Sequence, residues 1–180
     1  MEDLSLHILD IAENSIAAGA KNIEIIVKED SANDVLSIEL IDDGRGMDQH
    51  AAWKAVDPFY TTRTTRHVGL GLPLLDDATK VANGRLDIQS TPEKGTRITA
   101  TFQLSHIDRK PLGKMAETIT MLVARQPDTD IAYRHERDGW FISFSTREIK
   151  RFLNGFPLNS GKTLSFIKQY ITQEENSFSS

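Results

Sequence analysis

Over residues 4–20 the apolar side chains recur every three or four positions. At about 100° per residue, Leu4, Ile8, Leu9, Ile11, Ala12 and Ile16 gather on one half of a helix, while Asp3, His7, Asp10 and Asn14 form a single polar stripe. The period then shortens. Residues 22–29 carry β-branched side chains at their centre and residues 35–41 alternate apolar with polar, so two strands follow, joined by a polar turn and close enough to pair antiparallel. Residues 48–56 read as a short helix, and 72–82 as a longer one that accommodates Pro73 in its first turn. Two further strands, 85–91 and 96–104, flank the turn 92–95. Beyond Pro111 the pattern predicts a helix at 115–125, a hairpin of 129–135 with 140–145, and helices at 147–153 and 164–172. A polar tail, 174–180, is expected to fray.

Composition narrows what such elements can build. With 180 residues, 39% hydrophobic and 26% charged, the chain can bury one core of ordinary size plus an appendix. It has no cysteine, which excludes disulfide scaffolds, thiolate zinc sites and thiol catalysis. No apolar run approaches ~18 residues and the first residues are acidic, so neither a membrane span nor a secretory signal is expected, and the expected location is the cytoplasm. The net charge of −5 is uneven: residues 1–104 hold 10 Lys and Arg against 17 Asp and Glu, the remainder 11 against 9. An acidic first part offers little for a phosphate backbone, so nucleic acid is not an expected partner. The shift also predicts a boundary, with one domain over 1–106 and a small α/β domain over 112–180.

The polar residues gather in four places. Asp10 and Asn14, four apart, project a carboxylate and an amide oxygen from one helix face, a pair suited to one metal ion or one water; a surface helix with an arbitrary polar side would look the same. Asp42-Asp43-Gly44-Arg45-Gly46-Met47 follows the second strand. Its glycines permit a sharp turn and close approach to a ligand, and its first carboxylate can accept from an exocyclic amino group, although ordinary turn chemistry also favours Asp and Gly here. Residues 58–68 read as a loop over a ligand, with Arg63 and Arg66 as phosphate contacts or simply an exposed basic loop. Gly69-Leu70-Gly71-Leu72 opens a helix, where free backbone N–H groups favour a phosphate.

In this order the segments resemble the Bergerat ATP-binding fold of DNA gyrase, heat-shock chaperone, histidine kinase and MutL ATPases, the GHKL superfamily. Asn14 matches the N box, Asp42, Gly44 and Gly46 the first glycine box, residues 58–62 the phenylalanine box of histidine kinases, Gly69 to Leu72 the second glycine box, and Gly95-Thr96 the third. The likeness covers about residues 4–104. Residues 13–20 are similar to a MutL-type N box, whereas 57–104 read like a histidine kinase. The resemblance implies an α+β fold, a two-layer sandwich of a mixed sheet with helices on one face, followed by the C-terminal extension. It implies that Asn14 ligates Mg²⁺, that Asp42 takes the adenine amino group with Thr96 assisting through water, and that the second glycine box and the lid hold the phosphates of ATP.

Two departures bear on activity. The hydrolytic members place a glutamate four residues before the asparagine; Asp10 stands there, one methylene shorter, so hydrolysis is expected to be slow. Asp10 is either the base or a partner of magnesium-bound water or of His7. The phosphate-accepting helical hairpin of sensor kinases is not seen ahead of the N box, so the acceptor is expected on another protein. The expectation is a kinase acting on a partner protein; the alternatives are an ATP-driven conformational switch of the MutL, gyrase or chaperone type and a domain that binds nucleotide only as structure. Trp140, Phe141, Phe144, Phe152 and Phe156 suit the extension to a small core, to partner binding or to a homodimer contact.

Overall fold

In a computed structural model, residues 3–57 and 71–178 are described. α1 (Leu4–Ala17) begins where the Asp3 carboxylate accepts from the Leu6 N–H at 3.2 Å, and it ends before Gly19, whose φ of +83° turns the chain into β1 (Asn22–Asp30). β1 and β2 (Val35–Asp42) are antiparallel, with Ile23 opposite Asp42. α2 (Gln49–Lys54) is capped by Asp48, and α3 (Gly71–Val81) leads into the hairpin of β3 (Arg85–Thr91) and β4 (Gly95–Gln103). The remaining elements are α4 (Met115–Arg125), β5 (Asp130–Arg137), β6 (Trp140–Ser145), α5 (Thr146–Phe152) and α6 (Gly161–Ser177).

All six strands form one sheet in the order β3-β4-β2-β1-β5-β6, antiparallel except for the parallel pair β1 and β5. Burial alternates along β1, β2 and β5, so one face is apolar and carries α1, α3, α4 and α6 while the other meets solvent. This is the expected two-layer α+β arrangement. The core under the helices is continuous: Ile8 and Ile11 of α1, Ile25 and Leu40 of the sheet, Ile119 and Leu122 of α4, and Ile167 and Ile171 of α6 belong to one cluster.

Three features differ from the sequence pattern. First, the expected boundary between 106 and 112 lies in a connecting segment, but the sheet and the core run across it, and the segment is stitched to α1 by the Leu4 and Ser5 N–H groups donating to the carbonyls of Pro111 and Leu112 at 3.0 and 2.8 Å. Second, the tail expected to fray is helical to Ser177, because Glu175 accepts from the Tyr133 hydroxyl at 2.7 Å and Arg137 reaches the Phe178 carbonyl. Third, His7 is buried, with Nε2 3.1 Å from Lys110 Nζ, so the polar stripe of α1 narrows to Asp10 and Asn14 beyond it. Among the described residues no helix is long and apolar enough to cross a membrane.

Candidate functional site

Strand register sets the centre of the site. Asp42 is opposite Thr96, and Thr96 is opposite Ser90, so three polar side chains stand in one row at the end of the apolar face. Asp42 is buried with both oxygens engaged: the Ser15 hydroxyl donates to Oδ2 at 2.6 Å and the Gly44 N–H donates to Oδ1 at 2.9 Å. Those bonds hold the carboxylate in one rotamer, the condition for recognising a ligand group with it. The hydroxyls of Ser90 and Thr96 are 2.8 Å apart, and Ser90 Oγ accepts from the Met47 N–H at 2.8 Å, which ties the loop after β2 to the β3–β4 hairpin.

Glycine is required where these backbones meet. A Cβ on Gly46 would sit 2.0 Å from the Thr91 carbonyl oxygen, and one on Gly95 1.9 Å from that of Asp42; both residues also have positive φ, +64° and +96°. The Glu93 N–H donates to the Arg45 carbonyl at 2.7 Å, closing the clasp. Asp43 faces the other way. It accepts from the Lys21 and Asn22 N–H groups at 2.7 and 2.9 Å and from Asn22 Nδ2 at 2.6 Å; burial works against its charge, but these bonds outweigh it and hold its pKa below the ordinary carboxylate value. One aspartate of the pair thus points into the site and the next staples the α1–β1 turn.

A cleft of about 790 Å³ opens beside Asp42. Its walls are α2, through Gln49, Ala52 and Trp53, with Val56 just after it, and the sheet, through Leu86, Ile88, Ser90 and Thr96; Lys94 and Arg97 also line it. Its volume is in the range of small-molecule sites, and its lining mixes apolar side chains with polar ones such as Asp42, Ser90 and Thr96. Asp10 and Asn14 stand on α1, the helix that also supplies Ser15. The start of α3 abuts the same helix, where a Cβ on Gly71 would lie 3.0 Å from Asp10 Cβ, and Leu72 packs against the core one residue on.

Of the residues named from sequence, Asp10, Asn14, Asp42, Gly44, Gly46, Met47, Gly71, Leu72 and Thr96 are thus arranged around α1, the loop after β2 and the β3–β4 hairpin. Arg63, Arg66, Gly69, Leu70 and the 58–62 box lie outside the described residues. Sequence reasoning missed Ser15, Ser90 and Asp43. Ser15 adjoins Asn14 and Asp43 repeats Asp42, but only the fold shows which way each side chain points.

Comparison with known proteins agrees with this architecture. The family model described as histidine kinase-, DNA gyrase B- and HSP90-like ATPase matches residues 2–106. The sensor protein kinase FleS of Pseudomonas aeruginosa is 33% identical over 110 residues, 61% of this chain and 27% of its own length. The non-motile and phage-resistance protein of Caulobacter vibrioides is 28% identical over 112 residues, 57% of this chain and 13% of its own. The sensor histidine kinase YvrG of Bacillus subtilis is 28% identical over 94 residues, 50% and 16% of the two chains. The chain therefore spans well under a third of the length of these relatives. Among solved structures, the N-terminal domain of a DNA repair protein superposes with a TM-score of 0.55 over 79% of this chain and 52% of that one, at 17% identity, which speaks to fold alone. On the fold and the matched 2–106 segment together, the chain belongs to the histidine kinase-, DNA gyrase B- and HSP90-like ATPase family and carries that family's ATP-binding fold.

Proposed function

We propose that the chain binds magnesium-complexed ATP in the cleft beside Asp42 and passes the γ-phosphoryl group to a histidine or serine on a partner protein. The observation that carries this reading is the Asp42 carboxylate, held by Ser15 and Gly44 at the wall of the cleft, where it can accept from the adenine amino group and so select the base. Thr96 stands beside it to share that contact through water. On the kinase reading the triphosphate runs toward α1 and the start of α3, where Gly71 leaves N–H groups at a helix N-terminus next to Asp10. By the family resemblance Gly69, Leu70 and Arg63, which lie outside the described residues, are proposed as further phosphate contacts.

Asn14 is the proposed magnesium ligand, with Asp10 one turn away to hold a coordinated water. Among the described residues no group of three or more His, Cys, Asp or Glu could hold a metal by itself. Magnesium takes one or two protein oxygens and completes its shell with phosphates and water. Bound there, the ion would offset charge on the transferring phosphoryl group. Asp10, one methylene shorter than the glutamate of the hydrolytic members, is expected to activate water only slowly, which would preserve ATP for transfer to a protein acceptor. Kinase names among the relatives support the same choice.

The test is incubation of the full chain with γ-labelled ATP and proteins encoded beside it. Label on one of them, lost with Asp42→Asn, is the expected result; no label on any protein, acid-labile or acid-stable, overturns the kinase reading. A nucleotide-driven switch is the second reading, favoured by the MutL-like 13–20 segment and by the likeness in fold to a DNA repair protein's N-terminal domain. It requires that a non-hydrolysable ATP analogue change the scattering profile of the chain with its partner.

A further inference from the structure

α5 begins at the same end of the sheet as Asp42. Register fixes this: Asp42 is opposite Ile23, Asn22 is level with Asp130, and Ala132 pairs with Ser145, the residue before α5. With strands spaced about 4.8 Å, the root of α5 lies about 14 Å across the sheet from Asp42. Side chains bridge the interval. Asn22 Nδ2 donates to Asp43, Arg147 Nη2 donates to Asn22 Oδ1 at 2.6 Å, and Arg147 and Lys150 both reach the Asp130 carboxylate, at 3.2 and 2.8 Å.

Past α5 the chain forms an anchored hook. Asn154 and Gly155 take left-handed backbone in succession, with φ of 45° and 89°, the Phe156 N–H donates to the Leu153 carbonyl at 2.9 Å, and Leu158 is buried. This fixed turn nevertheless holds Phe152 82% exposed and Phe156 72% exposed. Large aromatic side chains held outward on a rigid element are the usual anchors of a protein contact. Arg151 precedes Phe152 and Lys162 lies in the first turn of α6 after the hook, and neither has an ion-pair partner among the described residues. Apolar anchors flanked by uncompensated cations match an acidic, apolar ligand.

We infer that α5 and its hook dock the partner protein on which the nucleotide site acts, through a segment of that partner that mixes aromatic or aliphatic side chains with carboxylates. The partner's role as phosphoryl acceptor rests on the kinase reading above; the docking chemistry does not. An anionic bilayer would also meet aromatic and cationic groups, but α5 starts at the Asp42 end of the sheet, and Arg147 in its first turn is hydrogen-bonded through Asn22 to Asp43, next to Asp42, which favours a protein partner of that same site.

The experiment is selection of phage-displayed random 12-residue peptides on the immobilised full chain. Enriched peptides are expected to combine Asp or Glu with Phe, Leu or Trp, and to bind F152S/F156S and, separately, R151E/K162E at least tenfold more weakly, while ATP affinity of both variants is unchanged. Asp42→Asn, which abolishes nucleotide binding, is expected to leave peptide binding intact, so failure of the nucleotide reading and failure of the docking surface are distinguishable. Absence of a consensus, a consensus without carboxylates, unchanged binding to F152S/F156S, or binding of the chain to phosphatidylglycerol vesicles through these side chains in place of peptides each overturns the proposal. Both substituted pairs are exposed, and an unchanged thermal midpoint verifies that the variants fold.

Discussion

At the scale of single residues the site depends on a carboxylate that is buried and has no freedom to turn. Ser15→Ala removes the donor to Asp42 Oδ2 and leaves a buried charged oxygen short of one bond, a loss of about 1–3 kcal/mol. The expected outcome is a lower urea midpoint together with ATP affinity reduced by about tenfold in calorimetric titration; if both stay at the wild-type value, Ser15 does not orient Asp42. Glycine substitutions separate two physical causes. Gly19 and Gly95 both have φ near +90°, so alanine at either carries the left-handed penalty of ~1 kcal/mol, but only at Gly95 does the new Cβ run into the Asp42 main chain. Gly19→Ala should therefore cost about 1 kcal/mol and keep ATP binding, whereas Gly95→Ala should cost appreciably more and abolish it. Equal effects in urea unfolding would show that backbone conformation, not the clash, decides.

At the scale of elements, the end of α6 is held to the sheet by a titratable cluster. His135 Nε2 is 2.8 Å from Glu29 Oε1, Arg137 Nη2 donates to Glu29 Oε2 at 2.9 Å, and Tyr133 donates to Glu175 of α6. The hydrogen bond from His135 lowers the Glu29 pKa to about 2, against an opposing effect of burial and with help from Arg137. Burial disfavours charge on His135, yet hydrogen bonds to Glu175 and Glu29 outweigh it and raise its pKa. The two act in opposite directions. The Glu29 contribution is complete above its unfolded value of about 4.5 and is lost as pH falls toward 2; the His135 contribution is complete below about 6.5 and is lost as pH rises through its raised folded value. The clamp is thus firmest between about pH 4.5 and 6.5. The thermal midpoint should fall as pH rises from 6.5 through the raised value of His135, and stay nearly level over that range in His135→Gln. An unchanged slope in that variant would assign the pH dependence elsewhere. This clamp also explains why the sequence pattern stops α6 at 172. Residues 173–177 are polar and have no helical apolar period, and the residue that orders them, Tyr133, lies about 40 positions away.

At the scale of the whole molecule, the segments that the fold gathers around the candidate site were legible because each is local: Asp42 ends a strand, Gly71 opens a helix, and Asn14 lies on an amphipathic one. What joins them was not, since Ser15, Ser90 and Asp43 act across register, and the parallel pairing of β1 with β5 connects positions more than 100 residues apart. That pairing is the most consequential feature of the extension. Residues 22–29 of β1 face residues 130–137 along their whole length, and α4 packs on α1, the helix that carries Asn14 and Ser15, with Arg125 donating to Glu13 and the Thr118 hydroxyl to the Ser5 carbonyl. Cutting the chain after 106 would turn β1 into a bare edge whose side chains Ile23, Ile25 and Val27 lose cover, and would uncover the face of α1 that α4 now buries. The fragment 1–106 is therefore expected to aggregate or to unfold without a cooperative urea transition, and to lose ATP binding, whereas the full chain unfolds in one step. A fragment that keeps a sharp transition at the full chain's midpoint would mean that β1 and α1 are stable without β5 and α4, and that the extension is an attachment to the ATP-binding domain, not part of its core.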